Sequence, residues 1–261
     1  MIVTTDTVNI EWFNLALGYM LMLVPMGIIL VYKIRVFSAL CFSILRMTVQ
    51  LLFVGFYLQV LFKLNYWWLN IAWLLVMLTV ADLSILGRCK LKMKTFLFPL
   101  LGSLVAGTAV PLLYFTGVII RTPNLIDAAY FIPLAGMIAG NCLRTSIIGI
   151  NSFYTSARKK QKTMQHELSM GASLPEAIWP HFRAAAEAAL SPTIATMATI
   201  GLVALPGMMT GIILGGTEPM TAIKYQIAIM IAIFTGTTIN VVLGINLTRK
   251  KAFSRWGTLV C

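Results

Sequence analysis

The chain has 261 residues, of which 59% are hydrophobic and 11% charged. An ordinary soluble domain carries about 25% charged residues, so that class is excluded and an all-α integral membrane protein is predicted instead. The net charge of +12 would suggest nucleic acid in a soluble protein, but in so apolar a chain the positions of the cations say more than their sum, and no nucleic-acid partner is expected.

A helical span needs roughly 20 mostly apolar residues. Seven windows qualify: residues 12–32, 36–62, 64–87, 95–120, 128–150, 190–216 and 225–247. Each is expected to be helical, because hydrocarbon offers no partner to an open amide and a lone helix satisfies its own. Strand-period alternation is absent, which argues against a β-barrel. The first 11 residues hold Asp6 and Glu11 but no Lys or Arg, so they lack the basic start of a cleavable signal peptide and the first window is expected to remain as an anchor.

Lys33 and Arg35 follow the first window; Arg88, Lys90, Lys92 and Lys94 follow the third. Arg158, Lys159, Lys160, Lys162 and Arg183 lie between the fifth and sixth, and Arg249, Lys250, Lys251 and Arg255 follow the seventh. That puts 15 of the 20 Lys and Arg on one side, against Lys63, Arg121 and Lys224 on the other. The positive-inside rule makes the basic side cytoplasmic, with the N-terminus outside and the C-terminus in the cytoplasm.

Arg46 lies within the second window, with Gln50 one turn on and on the same face. Asp82 sits near the basic end of the third window, and Arg144 follows Asn141 in the fifth. Intramembrane polar groups are costly and default to functional hypotheses. A salt bridge from Asp82 to Arg46 or Arg144 is geometrically open, and snorkelling to headgroups is the plainer alternative. Cys41, Cys89, Cys142 and Cys261 show no CxxC spacing and read as packing residues. His166 and His181 are 15 residues apart, which is no zinc spacing, so both read as solvated surface histidines and no metal site is predicted. No Ser/His/Asp or paired-carboxylate arrangement suggests an enzyme.

Most connections are short, but residues 151–189 form a long polar one. A helix continuing from the fifth window should stop at Gly171. Ser173 and Glu176 fit a capping box, with Pro175 in the first turn of a second helix that Pro180 should kink or divide. The result is a helix, tight turn, helix projection, which spacing alone would allow to lie on headgroups as an amphipathic hairpin.

In the sixth window Pro206 removes a backbone donor, and Gly207, Gly211 and Gly215 recur at four-residue spacing. This reads either as close helix packing at a kink or as a broken helix whose freed carbonyls, with Met208 and Met209, line a substrate route. The two methionines point to different helix faces. Tyr225 and Gln226 open the seventh window, where Tyr225 reads plainly as an interfacial anchor.

Four strings, "IPLAGMIAGN" (132–141), "ELSMGAS" (167–173), "GLVALPGMMTG" (201–211) and "AIKYQI" (222–227), resemble the permease subunit of the FetB (YbbM) family of ABC transporters. The resemblance is specific over residues 132–227, while residues 1–131 match in hydropathy and length. It implies a single permease domain, 1–261, at the bacterial inner membrane, exporting iron or another metal. The projection becomes a coupling segment in which His166, Glu167, Leu168, Ser169, Met170, Gly171, Ala172 and Ser173 meet an ATPase. Glu167 stands four residues before Gly171, whereas importers carry Glu-Ala-Ala six before it. No G-x-x-x-x-G-K-[ST] string occurs, so ATP and Mg belong to a separate P-loop subunit. Two permease copies with two ATPases, embedded in membrane lipids, are the implied assembly. Arg46, Gln50, Asn141, Arg144, Pro206, Gly207, Met208, Met209, Gly211, Tyr225 and Gln226 are the expected pathway residues. The alternatives are transport of a nucleotide sugar or other organic solute, and a non-transporting scaffold or channel.

Overall fold

The computed structural model describes residues 11–121 and 124–253. Asp6, Arg255 and Cys261 lie outside the described residues. Helices dominate, and no strand of a sheet is present among the described residues. In chain order they are α1 (Trp12–Met20), α2 (Leu23–Val31), α3 (Phe37–Leu64), α4 (Trp67–Cys89), α5 (Met93–Tyr114) with a π-helical extension (Phe115–Ile120), α6 (Ala128–Lys159), α7 (Gln161–Ser169), α8 (Leu174–Thr199), α9 (Gly207–Leu214) and α10 (Pro219–Ala252).

Among the described residues six segments are long and apolar enough to cross a membrane: Trp12–Val31, Phe37–Leu64, Trp67–Cys89, Met93–Ile120, Ala128–Lys159 and Pro219–Ala252. The window at residues 190–216 is not one helix. α8 ends at Thr199, a non-helical stretch covers residues 200–206, and α9 resumes at Gly207. The cause is local. Gly201 takes φ +88°, a conformation that side chains with a Cβ rarely adopt, and Pro206 supplies no amide to a helix below it. The chain still passes from the α6 C-terminal end, where Ser156 meets His181, to the start of α10, so this passage is made by a broken helix.

Helix ends follow the sequence. Asn65 and Lys90 close α3 and α4 in the left-handed conformation, and Asp127 caps α6 by accepting from the Ala129 amide at 3.3 Å. Asn65 Oδ1 accepts from the Ala128 amide at 2.9 Å, which ties the α3–α4 turn to the start of α6. α8 runs unbroken through Pro180 and Pro192, so Pro180 does not divide it. Pro180 and Glu176, whose carbonyl would otherwise accept the amide that Pro180 lacks, are both exposed residues.

The core is built from α4, α5, α6, α8 and α10. Its tightest seam is between α5 and α10, where Gly107 faces Gly236 and Asn240 backbone to backbone. Asn240 Nδ2, fully buried, donates to Cys142 O at 3.0 Å and Ser146 Oγ at 2.7 Å, fastening α10 to α6. α1 and α2 bury no residue within the protomer and α3 buries only Leu61, so these three are peripheral. The basic ends converge: Cys89 Sγ lies 3.8 Å from Ile147 O, and the rings of Phe153 and Phe253 are 6.2 Å apart. The C-termini of α4 and α10 therefore share one side with the C-terminal half of α6.

Candidate functional site

The break between α8 and α9 opens a cleft of about 280 Å³ against α6 and α10. Its polar lining is Asn141, Thr196, Thr199 and Gln226, and Pro206, Gly207 and Met208 form the rim of the break. Asn141 Nδ2 donates to Met137 O at 2.8 Å, leaving its Oδ1 without a protein partner. The Thr196 and Thr199 hydroxyls donate back to Pro192 O (2.9 Å) and Ala195 O (3.0 Å), so only their lone pairs face the cleft. Gln226 is 9% exposed, and its amide makes no hydrogen bond among the described residues. That amide is open to water or a ligand in the cleft.

The break itself frees backbone groups. Thr199 O receives the Leu202 and Val203 amides and Ala204 O receives that of Gly201, whereas the carbonyls of Ile200, Gly201, Leu202, Val203 and Leu205 accept from no amide among the described residues. Of these residues Ile200 alone lines the cleft, so one freed carbonyl residue, the Asn141 amide oxygen and the Gln226 primary amide meet in a partly apolar space. Such a set can solvate a cation or a polar organic group without fixed charge. A second space of about 140 Å³ adjoins it, sharing Asn141, Thr196, Met230 and Ile233 and reaching Arg144.

Asn141, Pro206, Gly207, Met208 and Gln226 therefore meet at one cleft. Met209 and Gly211 are not part of its lining, and Tyr225 lines a separate cavity with Phe115 and Lys224. The Gly207, Gly211 and Gly215 stripe packs against no neighbouring helix within the protomer. Arg46 and Gln50 lie elsewhere, in a cavity of about 530 Å³ between α3, α4 and α6 that Arg144 also lines. Asp82 forms no ion pair with either arginine: it is fully buried with both oxygens unpartnered. Ser84 and Arg88, which do line that cavity, show why. Ser84 is two residues on, about 200° around the helix from Asp82, so the carboxylate faces the core. Thr196 and Thr199 were not singled out from the sequence. A hydroxyl pair three residues apart at a helix end was the available signal.

On the basic side, α7, the Gly171 turn at φ +98° and α8 make the expected helix, turn, helix. Glu176 Oε2 accepts from the Ser173 amide (2.8 Å) and hydroxyl (2.7 Å), and these bonds hold its carboxyl below the usual range. Met164 is buried under α7. At the tip His166, Glu167, Ser169, Gly171 and Ser173 are exposed, Leu168 and Ala172 are half-buried, and Met170 is 76% exposed. Trp179, 60% exposed, stacks on Phe182. His181 corrects the expectation of a solvated histidine. It is 7% exposed and shares a 2.8 Å hydrogen bond between Nδ1 and Ser156 Oγ. Burial, with Lys160 adding to it against Glu167, lowers its pKa below the ordinary 6.5. Among the described residues no three of His, Cys, Asp and Glu gather as a metal site.

A family model described as an uncharacterised protein family, UPF0014, matches residues 12–253. The chain belongs to the UPF0014 family. A UPF0014 membrane protein of Synechocystis is 33% identical over 237 residues, covering 90% of this chain and 91% of the relative. The Escherichia coli protein named "Probable iron export permease protein FetB" is 31% identical over 253 residues, covering 97% and 96%. ALUMINUM SENSITIVE 3 of Arabidopsis thaliana is 29% identical over 241 residues, covering 90% and 85%. The likeness to FetB thus runs through the first half of the chain as well as residues 132–227. No solved structure matches. With six apolar helices and bacterial membrane-protein relatives of full length, this UPF0014 chain is a multi-pass bacterial membrane protein.

Proposed function

We propose that this UPF0014 chain is the membrane permease subunit of an ABC transporter and couples ATP hydrolysis by a separate P-loop ATPase to export of a solute, iron or another metal in the first instance. The observation that carries the reading is the projection at α7 and α8. A charged helix-turn-helix holds an exposed methionine at its tip and an exposed tryptophan on its flank, buries Met164, and is tied to α6 by the Ser156–His181 bond. Such a knob fits the groove of a partner, and α6 and α8 run directly from it to the cleft. Movement of the knob would therefore bear on the break at residues 200–206, the one place where this passage is not a stiff helix.

The cleft at Asn141, Gln226, Met208 and Ile200 is the proposed route, with Arg144 in the adjoining space. Its donors are neutral oxygens and a thioether, and thioether is a soft ligand that suits Cu(I) better than iron. The cargo that fits is therefore a chelated metal, or one crossing without a tight protein site. A homodimer with two ATPases completes the assembly. Leu202, 92% exposed at the break, and the unburied faces of α1 and α2 are apolar surface for lipid or the second copy.

The test is purification of the tagged chain from native membranes, reconstitution with any P-loop ATPase that accompanies it, and measurement of ATP hydrolysis against candidate solutes. Gly171→Arg should release the ATPase and abolish solute-stimulated hydrolysis, and Gln226→Leu should keep the ATPase bound and lose the stimulation. Recovery of no P-loop ATPase, or full stimulation in Gly171→Arg, defeats the reading.

A further inference from the structure

Arg46 of α3, Arg88 of α4 and Arg144 of α6 line one cavity of about 530 Å³, together with Ser43, Gln50 and Ser84. No carboxylate lines it, and the ion pair found among the described residues, Arg183 with Glu187, lies on the exposed face of α8. Three guanidinium groups, each on an exposed residue, therefore share a space that no carboxylate lines. Three like charges at the edge of a membrane repel one another unless an anion sits between them.

The depth is set by the helices. Arg88 is the penultimate residue of α4, and the Cys89 Sγ contact to Ile147 O places the Arg144 turn of α6 level with that helix end. Here the apolar span gives way to the run Arg88, Lys90, Lys92 and Lys94, at the height of lipid headgroups. Gln50 stands one turn beyond Arg46 on the same face, and among the described residues neither Gln50 nor Ser43 has a side-chain hydrogen bond. Ser84 is already committed, donating to Val80 O at 2.8 Å. Guanidinium forks offer paired N–H groups that match adjacent oxygens of a tetrahedral anion, and three forks exceed what one carboxylate can accept.

We propose that Arg46, Arg88 and Arg144 form a binding site for one phosphoryl group, with Gln50 and Ser43 as neutral donors. The site shares Arg144 with the space adjoining the cleft at the broken helix, and it does not depend on the ABC reading. The phosphoryl group belongs either to an anionic lipid of that leaflet or to a soluble phosphate entering from the basic side.

Native mass spectrometry of the delipidated full chain in detergent separates the sources, with phosphatidylglycerol, phosphatidylcholine or inorganic pyrophosphate added in turn. Retention of one phosphatidylglycerol per protomer in preference to phosphatidylcholine, weakened at least tenfold in Arg46→Gln/Arg144→Gln, supports the site with lipid as the source. Retention of pyrophosphate with the same loss supports it with a soluble source. The charge-matched control Lys162→Gln/Arg183→Gln should bind as the parent does. Arg46→Lys/Arg144→Lys, which keeps charge and fold but loses the forks, should bind more weakly than the parent. The proposal is overturned if neither anion is retained by the parent, or if the doubly glutamine-substituted chain binds as well as the parent.

Discussion

Gly107→Ala tests the α5–α10 seam on which the cleft side of α10 is carried. A Cβ added there would lie 2.6 Å from Asn240 Cβ, 2.8 Å from Gly236 O and 3.2 Å from Asn240 Cα. Carbon atoms rest at about 3.5–4.0 Å, so α5 and α10 would have to part by roughly 1 Å. Two of the three atoms met are backbone and cannot rotate away. Overpacking of a buried contact costs about 1–3 kcal/mol. Gly102→Ala on the same helix is the matched control: its Cβ meets nothing within 4 Å, and it should gain up to about 1 kcal/mol of helix propensity. The propensity gain is common to both variants, so they should differ by the overpacking cost of about 1–3 kcal/mol, roughly 5-fold to roughly 150-fold in the unfolding equilibrium. Denaturant unfolding in detergent micelles, followed by circular dichroism, reads this directly. Equal midpoints for the two variants, or a higher one for Gly107→Ala, would refute the close approach.

Asn240→Leu removes the donations to Cys142 O and Ser146 Oγ and should lower stability by about 1–3 kcal/mol, seen as an earlier thermal midpoint. An unchanged midpoint would mean the bonds contribute nothing net. Gly171→Ala meets no atom within 4 Å but must hold φ +98°, so roughly 1–2 kcal/mol of backbone strain should speed amide exchange at the knob while leaving α4, α5 and α10 as they were. Protection unchanged around the turn would count against the strained conformation. His181 has a folded-state pKa below its unfolded one, so its contribution to knob docking is present above about pH 6.5 and is lost as pH falls through the folded value. Hydrogen exchange of α7 and α8, compared at each pH with His181→Gln, should show looser docking on acidification in the parent only. The same pH response in both would place the effect elsewhere.

Much of this architecture is written in local patterns. Hydropathy over about 20 residues locates the spans, the cations cluster at helix ends that the structure gathers on one side, and Ser173, Glu176 and Gly171 announce the knob because capping and a positive φ are properties of a few adjacent residues. Pro206 with its flanking glycines gives the same kind of notice of the broken helix. The interruption extends seven residues, from 200 to 206, and that is not legible locally, because which of those residues face α6 and α10 depends on helices distant in sequence.

Which side chains meet is decided by the packing of helices distant in sequence. Gly107 and Gly236 look like any other intramembrane glycines until α5 and α10 are laid together, and Asp82 looks like a partner for Arg46 until the facing of α4 turns it into the core. The sequence by itself determined a membrane protein of apolar helices with a polar knob, since hydrocarbon imposes those demands on each segment separately. Only the tertiary structure decided that Gln226 and Asn141 share a cleft and that three arginines share a cavity, because contacts between helices depend on rotations that no single segment specifies.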